Sequence, residues 1–520
     1  MSLELIRESI RLSHYAGEGG TEAVVEHDII LPDAKPGAES ILFLDGSAAI
    51  DNVSVSQGKV SISGNIDYKV LYASDDPKNP LASTNSRTSF VQILEMSGSE
   101  AGMRGSSSCD IEHIDYHIVN DRKINIKAIL NLQGRVLRER QCNAITDVRG
   151  DDTVQALRED MVFSNDYIGQ KVCSVEESLE MPSDKPSVRE VLRSDVKITR
   201  KENKVSYDKI TVRCDLKIST LYIADDNEQS INCVEHIVPF SQSVEVPGLD
   251  EDARCQVEYA FRDLGVEVKE DSDGEPRILE LKCSLVLDAE GKQQGTVSVL
   301  EDAYSTAFDL NGQREVFEMS RMEGSFSDRV GLKDEVELED DEHEVVRVFN
   351  VIPKANLYDY EITEDKVRVE GVVENNIIYL TDNPERPICS CSHQIPFKHT
   401  IDIKGLPREV DYDISIDVTK CDFVVASRRT IGLDLSMELD AKALTPTQFS
   451  ALTDISESSS DSVRKKGEKP SMSIYFVQPG DTVWNIAKHY RTTTQKIMGI
   501  NSLEEDCALQ PGTQLMVLTK

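Results

Sequence analysis

The sequence predicts a mainly β protein in which three tandem antiparallel β-rich repeats precede a small C-terminal α+β module in the order strand, helix, helix, strand. Two self-shifts and one change of periodicity carry that prediction. Shifting the chain by 150 residues lays Leu31-Pro32-Asp33-Ala34-Lys35-Pro36 on Met181-Pro182-Ser183-Asp184-Lys185-Pro186, Leu71-Tyr72 on Leu221-Tyr222 and Phe90 on Phe240. A further shift of 157 carries Tyr222 to Tyr379, Pro239-Phe240 to Pro396-Phe397 and Gly248-Leu249 to Gly405-Leu406. Self-matching at a fixed period marks repeated supersecondary units. Beyond Ile474 the apolar spacing changes from strand-like to helical and back. A chain of 520 residues needs several cores in any case, because single cores stop growing near ~250–300 residues.

In chain order, Leu3, Ile6 and Ile10 predict a short amphipathic helix docked on the body. The opening residues lack a positive region followed by an apolar core, so no export signal is expected. The first repeat is expected over 22–140. Its defining strand alternates Val60, Ile62, Ile66, Tyr68, Val70 and Tyr72 with polar residues, the pattern of a sheet with one wet face. Its 13 residues would span about 43 Å, long enough to predict a bend. Gly64, Cys214 and Gly371 share one internal position of this strand in the three repeats, where a small residue suits a bulge. Ser56-Gln57-Gly58, Ser206-Tyr207-Asp208 and Thr363-Glu364-Asp365 precede it as hairpin turns. Val154, Leu157 and Met161 predict a linking helix over 153–168. The second repeat is expected over 172–300 with Ile210, Val212, Leu216, Ile218 and Tyr222 as its buried face, and the third over 328–445 with Val367, Val369, Val373, Ile377 and Tyr379. Later alternating runs, and final strands near 124–132, 279–287 and 431–439, bring each repeat to five or six antiparallel strands, a sandwich or open barrel. Residues 303–326 look less regular. Residues 454–472, rich in Ser, Lys and Glu without apolar periodicity, read as a flexible linker.

The last module is expected over 473–520. Ile474–Val477 alternate and break at Pro479-Gly480; Asp481 or Thr482 then caps a helix whose Val483, Ile486, Ala487 and Tyr490 share one face. Ile497 and Ile500 turn inward from a second short helix that Asn501 ends, and Leu515 and Val517 alternate in a closing strand. Tyr475, Val477, Gly480-Asp481-Thr482-Val483-Trp484, Ile486-Ala487, Tyr490, Ile497, Asn501, Leu509, Gly512 and Leu515 together resemble the LysM module. The resemblance implies a shallow groove lined by Gly480, Asp481, Thr482, Val483, Trp484, Ile500, Asn501, Ser502 and Leu503. It binds N-acetylglucosamine-containing glycans in many members and proteins in some. Trp484, the only tryptophan, lies one residue past Val483 and so about 100° off the core face. Two readings stay open there, a cover for a small core and an interface anchor.

The whole layout resembles the SPOCS-plus-LysM family of spore-coat morphogenetic proteins. That resemblance implies a non-enzymatic adaptor in the mother-cell cytoplasm, at the forespore surface and spore coat. Its LysM module would dock on the coat basement-layer morphogenetic ATPase, and its repeats would recruit other coat proteins or self-associate. The alternative is an envelope protein that binds peptidoglycan through N-acetylglucosamine. A net charge of -36 argues against nucleic acid as partner, because phosphate binding needs a cationic surface. No apolar run approaches the ~18 residues of a membrane span, so no membrane insertion is expected. Eleven cysteines without paired spacing fit a reducing compartment. Cys389, Cys391 and His393 would share a strand face without a fourth ligand, and His113 and His117 likewise lack a partner, so no metal or cofactor is expected. No catalytic motif appears. The acidic run Asp334–Glu344 reads as a solvated edge, and Asp75-Asp76 and Asp225-Asp226 as turn residues.

Overall fold

The computed structural model describes residues 3–76, 79–149, 153–226, 229–339, 343–363, 365–383, 386–403, 411–457, 472–504 and 508–518. Among the described residues the body has eighteen strands, six per repeat, and each repeat is a pair of three-stranded antiparallel sheets. In the first repeat β2 (Ala38–Ser56), β3 (Lys59–Ser74) and β4 (Leu81–Glu95) form one sheet with β3 central. β1 (Glu4–Ile30), β5 (Arg104–Asn120) and β6 (Lys123–Arg149) form the other with β6 central. The second repeat repeats this order with β7 (Val154–Glu180), β8 (Val188–Ser206), β9 (Lys209–Ala224), β10 (Ile231–Glu245), β11 (Arg254–Glu270) and β12 (Pro276–Ser305). The third does so with β13 (Leu310–Glu337), β14 (Arg347–Thr363), β15 (Lys366–Leu380), β16 (Ile388–Asp402), β17 (Asp411–Ser427) and β18 (Thr430–Glu457).

Each core lies between its two sheets and uses the alternation read from the sequence. Val60, Ile62, Ile66 and Tyr72 of β3, Ile210, Val212, Leu216 and Tyr222 of β9, and Val367, Val369, Val373 and Tyr379 of β15 are all buried. The terminal tyrosines fasten strand to loop: the Tyr72 hydroxyl donates to the Pro36 carbonyl at 3.0 Å and that of Tyr222 to Pro186 at 3.3 Å. These prolines belong to the matched segments that revealed the repeat. The small residues sit opposite irregular pairing, as expected. A Cβ on Gly64 would lie 2.3 Å from the Ala49 carbonyl oxygen and one on Gly371 2.3 Å from that of Asn356. The partner strands slip register at Ile50/Asn52 and at Leu357/Asp359. Cys214 stands opposite a wider slip, Thr199/Glu202, where Arg200 takes a φ of 51°.

Four expectations are corrected. Residues 153–168 form no linking helix; Val154 onward is strand β7, antiparallel to the far end of β12. Leu3, Ile6 and Ile10 do not lie on a helix, since β1 begins at Glu4 and pairs along β6. The stretch 303–326, read as irregular, is the end of β12 and the first half of β13. Of the linker expected over 454–472, residues 454–457 belong to β18 and Met472 to the next strand, while 458–471 lie outside the described residues. Helical spacing misled at Leu3, Ile6 and Ile10 and at Val154, Leu157 and Met161 because the strands run past the sandwiches, where apolar residues face neighbouring ribbons instead of a sheet interior.

Those extensions bind the repeats together. The strand pairs β1/β6, β7/β12 and β13/β18 continue beyond their sandwiches and bury Ile10, Leu12, Cys142, Ala144, Met161, Val297, Val299, Phe317, Met319 and Ala451 in one shared core. A second shared core holds Ile145, Leu300, Leu452 and Ile455. There the register slips once per ribbon, and an aspartate beside each slip meets an arginine of the following ribbon. Asp147 pairs with Arg158 at 2.5 Å, Asp302 with Arg314 at 3.0 Å, and Asp454 with Arg7 at 2.7 Å. The cycle closes, repeat three returning to repeat one. At the other junction Leu71, Leu221 and Ile378 occupy matched positions in a third shared core with Phe43 and Phe349.

Candidate functional site

The C-terminal module consists of β19 (Met472–Phe476), α1 (Val483–Tyr490), α2 (Thr494–Asn501) and β20 (Gln514–Leu518), with β19 antiparallel to β20. Val477, Ile486, Ala487, Ile497, Leu515 and Val517 form its core. Thr482 is the cap of α1: its hydroxyl accepts from the Asn485 amide at 3.1 Å. Asp481 instead closes the preceding turn. One of its carboxylate oxygens accepts from the Tyr475 hydroxyl at 2.6 Å and the Gln478 amide at 2.7 Å. The hydrogen bond from Tyr475, then that from Gln478, hold this carboxyl below its ordinary range.

The nine groove residues divide by what they touch. Gly480, Thr482 and Ser502 are exposed, Gly480 and Ser502 having left-handed φ of 87° and 51°. Val483 and Leu503 pack against the core from the two loops, and Ile500 is half-buried. Asn501 turns both amide hydrogens and its oxygen to partners within the module. Its amide donates to the carbonyls of Ile497 at 2.7 Å and Met516 at 2.8 Å, and its oxygen accepts from the Met516 amide at 2.7 Å. That arrangement ties α2 to β20. Trp484 faces the second repeat.

There the indole N–H donates to Asp302 at 2.8 Å, and the ring meets Tyr304 edge-on with centroids 4.9 Å apart. Lys488 reaches the same carboxylate at 2.6 Å, Arg491 pairs with Asp309, and the Tyr304 hydroxyl donates to the Thr492 carbonyl at 2.7 Å. Tyr304 is 5% exposed and belongs to the module's core cluster. Burial pushes its phenol up to about 12. Burial also raises Asp302, but the hydrogen bonds from Lys488 and Trp484 outweigh it, and with the Lys488 and Arg314 charges they hold its carboxyl below the ordinary value. The indole is thus taken up by the chain itself. Asp302, Tyr304, Asp309, Lys488 and Arg491 were not singled out from sequence. The available signal was the spacing of Trp484, Lys488 and Arg491 at i, i+4 and i+7, one helix face.

Elsewhere, His393 bonds Asp334 at 2.9 Å and His113 bonds Asp115 at 2.8 Å. Of the acidic run, Asp334–Glu337 end β13, and 340–342 lie outside the described residues. No cluster of three or more metal-ligating side chains occurs among the described residues, and no helix there is long and apolar enough to cross a membrane.

Comparison with protein-family models finds the family described as "SipL, SPOCS domain" over residues 38–119, 187–269 and 344–426, and the LysM domain over 475–517. No curated protein and no solved structure matches the chain. The two domain types point to a sporulation protein with a module of the peptidoglycan-binding kind.

Proposed function

The chain is a three-SPOCS, single-LysM protein, and from that premise we propose that it is a non-enzymatic adaptor of spore-coat assembly. Its LysM module docks on the coat basement-layer morphogenetic ATPase at the forespore surface, on the mother-cell side. Its repeats recruit other coat proteins or associate with further copies. The observation that carries this reading is the seat of the LysM module on the second repeat, through Trp484, Lys488 and Arg491. At rest the module so seated presents the loops of Gly480, Thr482 and Ser502 outward from the acidic body, where a partner makes its first contact.

The groove assignment of Gly480, Asp481, Thr482, Val483, Trp484, Ile500, Asn501, Ser502 and Leu503 remains part of the proposal, narrowed by the geometry. The exposed groups Gly480, Thr482 and Ser502 make first contact, Val483, Ile500 and Leu503 shape the floor, and Asp481 and Asn501 hold the loops in position. The glycan reading is weakened by one particular fact: both Asn501 amide hydrogens are already used within the module, so this side chain does not donate to an acetamido carbonyl. Two titrations of the full chain decide. Saturable binding to immobilised basement-layer ATPase, with no chemical-shift change on adding N-acetylglucosamine tetramer, supports the adaptor. Shifts confined to residues 480–484 and 500–503 with the sugar, and no binding to the ATPase, overturn it.

A further inference from the structure

We propose that the Trp484 face of the LysM module is a receptor for an acidic–aromatic protein segment, and that this chain fills it with its own Asp302-Ala303-Tyr304, which an external partner must displace. The inference rests on the reading of the LysM module as the partner-binding end. Each contact states one requirement of the receptor. The indole N–H and the Lys488 ammonium converge on a single carboxylate, 2.8 and 2.6 Å away. The edge of the indole takes a phenol ring, and the phenol hydroxyl reaches a backbone carbonyl at the start of the loop to α2. Arg491 adds a place for a second carboxylate, filled by Asp309. An apolar segment lacks the charge, and a neutral sugar supplies neither carboxylate. The matching ligand is a peptide with an acid two residues before an aromatic and a further acid beyond.

Only one of three related positions in the body meets these requirements. Asp147, Asp302 and Asp454 stand at matched register slips, each paired to the next ribbon's arginine. Two residues on, Arg149 and Ser456 stand where the second repeat has Tyr304. An arginine there would repel Lys488 and Arg491, and a serine offers no ring. The second repeat is therefore specialised as the internal occupant. Joining occupant and receptor in one chain raises their effective concentration, so a competing segment binds only when it exceeds that advantage. Lys488 is 42% exposed and Asp302 13% in their side chains, so the ammonium can be approached from solvent while the internal contact is still in place.

Trp484 is the sole tryptophan, so its emission in the full chain reports this one site. A peptide copying Leu300–Asp309, LEDAYSTAFD, serves as the external segment. Two opened variants are used, Tyr304→Ala alone and Tyr304→Ala with Asp302→Asn, with circular dichroism confirming that the β body is intact. Opening should red-shift the emission and strengthen acrylamide quenching. The peptide should then reverse both changes saturably, leave the wild-type chain unaffected, and fail when it carries Asn and Ala at the positions of Asp302 and Tyr304. Wild-type emission in both opened variants, equal response of wild type and variants, or no response in either opened variant overturns the proposal. Failure of the full chain to bind the ATPase, with the peptide acting as described, overturns the adaptor reading and leaves this one supported.

Discussion

Replacing Arg193 by Met tests how three similar repeats are held in one arrangement. Phe43, Arg193 and Asn350 occupy matched positions, opposite Leu71, Leu221 and Ile378 respectively. Where they converge, the guanidinium lies 4.8 Å over the Phe43 ring and bonds Asp45 and Asp195, each at 2.8 Å. Lys69 and Asn350 also bond Asp195, at 3.2 and 3.1 Å. The Arg193 side chain is 4% exposed and that of Asp195 12%. Removing one partner of such a buried pair costs about 3–5 kcal/mol, here because Asp195 keeps only Lys69 as a cationic partner and Asp45 loses the guanidinium. Met keeps much of the arginine's volume, so the cost is electrostatic more than a cavity effect. Burial raises Asp195, but the Arg193 and Lys69 charges and the hydrogen bonds from Arg193 and Asn350 prevail and bring it to about 2. A carboxyl depressed in the folded state contributes stability above its unfolded value, near ~4, and loses it as pH falls through the folded one. Wild type should therefore lose part of its urea resistance, followed by far-UV circular dichroism, between pH ~4 and ~2. Arg193→Met should have a midpoint lower by about 1 M or more at neutral pH and a flatter acid profile. Arg193→Met with Asp195→Leu should recover part of the loss, as apolar replacements of buried pairs often do. A single variant within ~1 kcal/mol of wild type, with the same acid profile, would refute the reasoning.

The remaining predictions concern backbone contact, the LysM module and its seat. Gly371→Ala should lower the urea midpoint by the equivalent of about 1–3 kcal/mol, since its Cβ would meet the Asn356 carbonyl oxygen at 2.3 Å, whereas Gly331→Ala, with open space around it, should stay near wild type. Asn501→Ala removes two hydrogen bonds between α2 and β20 and one within α2; hydrogen exchange should show both elements less protected by about 1–3 kcal/mol while the body is unchanged. The depressed carboxyl of Asp302 predicts that Trp484 emission is constant at neutral pH and red-shifts only on acidification below the ordinary carboxylate value. Emission that shifts between pH 6 and 8 would assign the change to another group.

The repeats were legible because alternation in β3, β9 and β15 reflects one wet and one dry sheet face, and because a buried tyrosine recurs as Tyr72, Tyr222 and Tyr379, the first two with the loops they bond. The bulges were legible from Gly64, Cys214 and Gly371. What sequence periodicity could not supply was any contact between repeats. Met161 and Ile10 belong to strands, yet they face other ribbons in a shared core, so the spacing of apolar residues around them carried no strand signature. The LysM helices and the Thr482 cap were readable for the opposite reason, their signals being local. Trp484 fell between the two cases. The helical wheel put it at the edge of the module's core, and only the fold brings Asp302 and Tyr304 from about 180 residues earlier to meet it.

The most direct measurement compares the full chain with a chain ending at Glu457, both titrated against immobilised basement-layer ATPase. Among the described residues the body's three sandwich cores and shared ribbon cores contain none beyond Ile455, and far-UV circular dichroism checks that the shortened chain is folded. The account predicts saturable binding by the full chain and none by the shortened one. Equal binding by both would contradict it, because the attachment would then lie in the repeats and the LysM module would not be what fastens this protein to its partner.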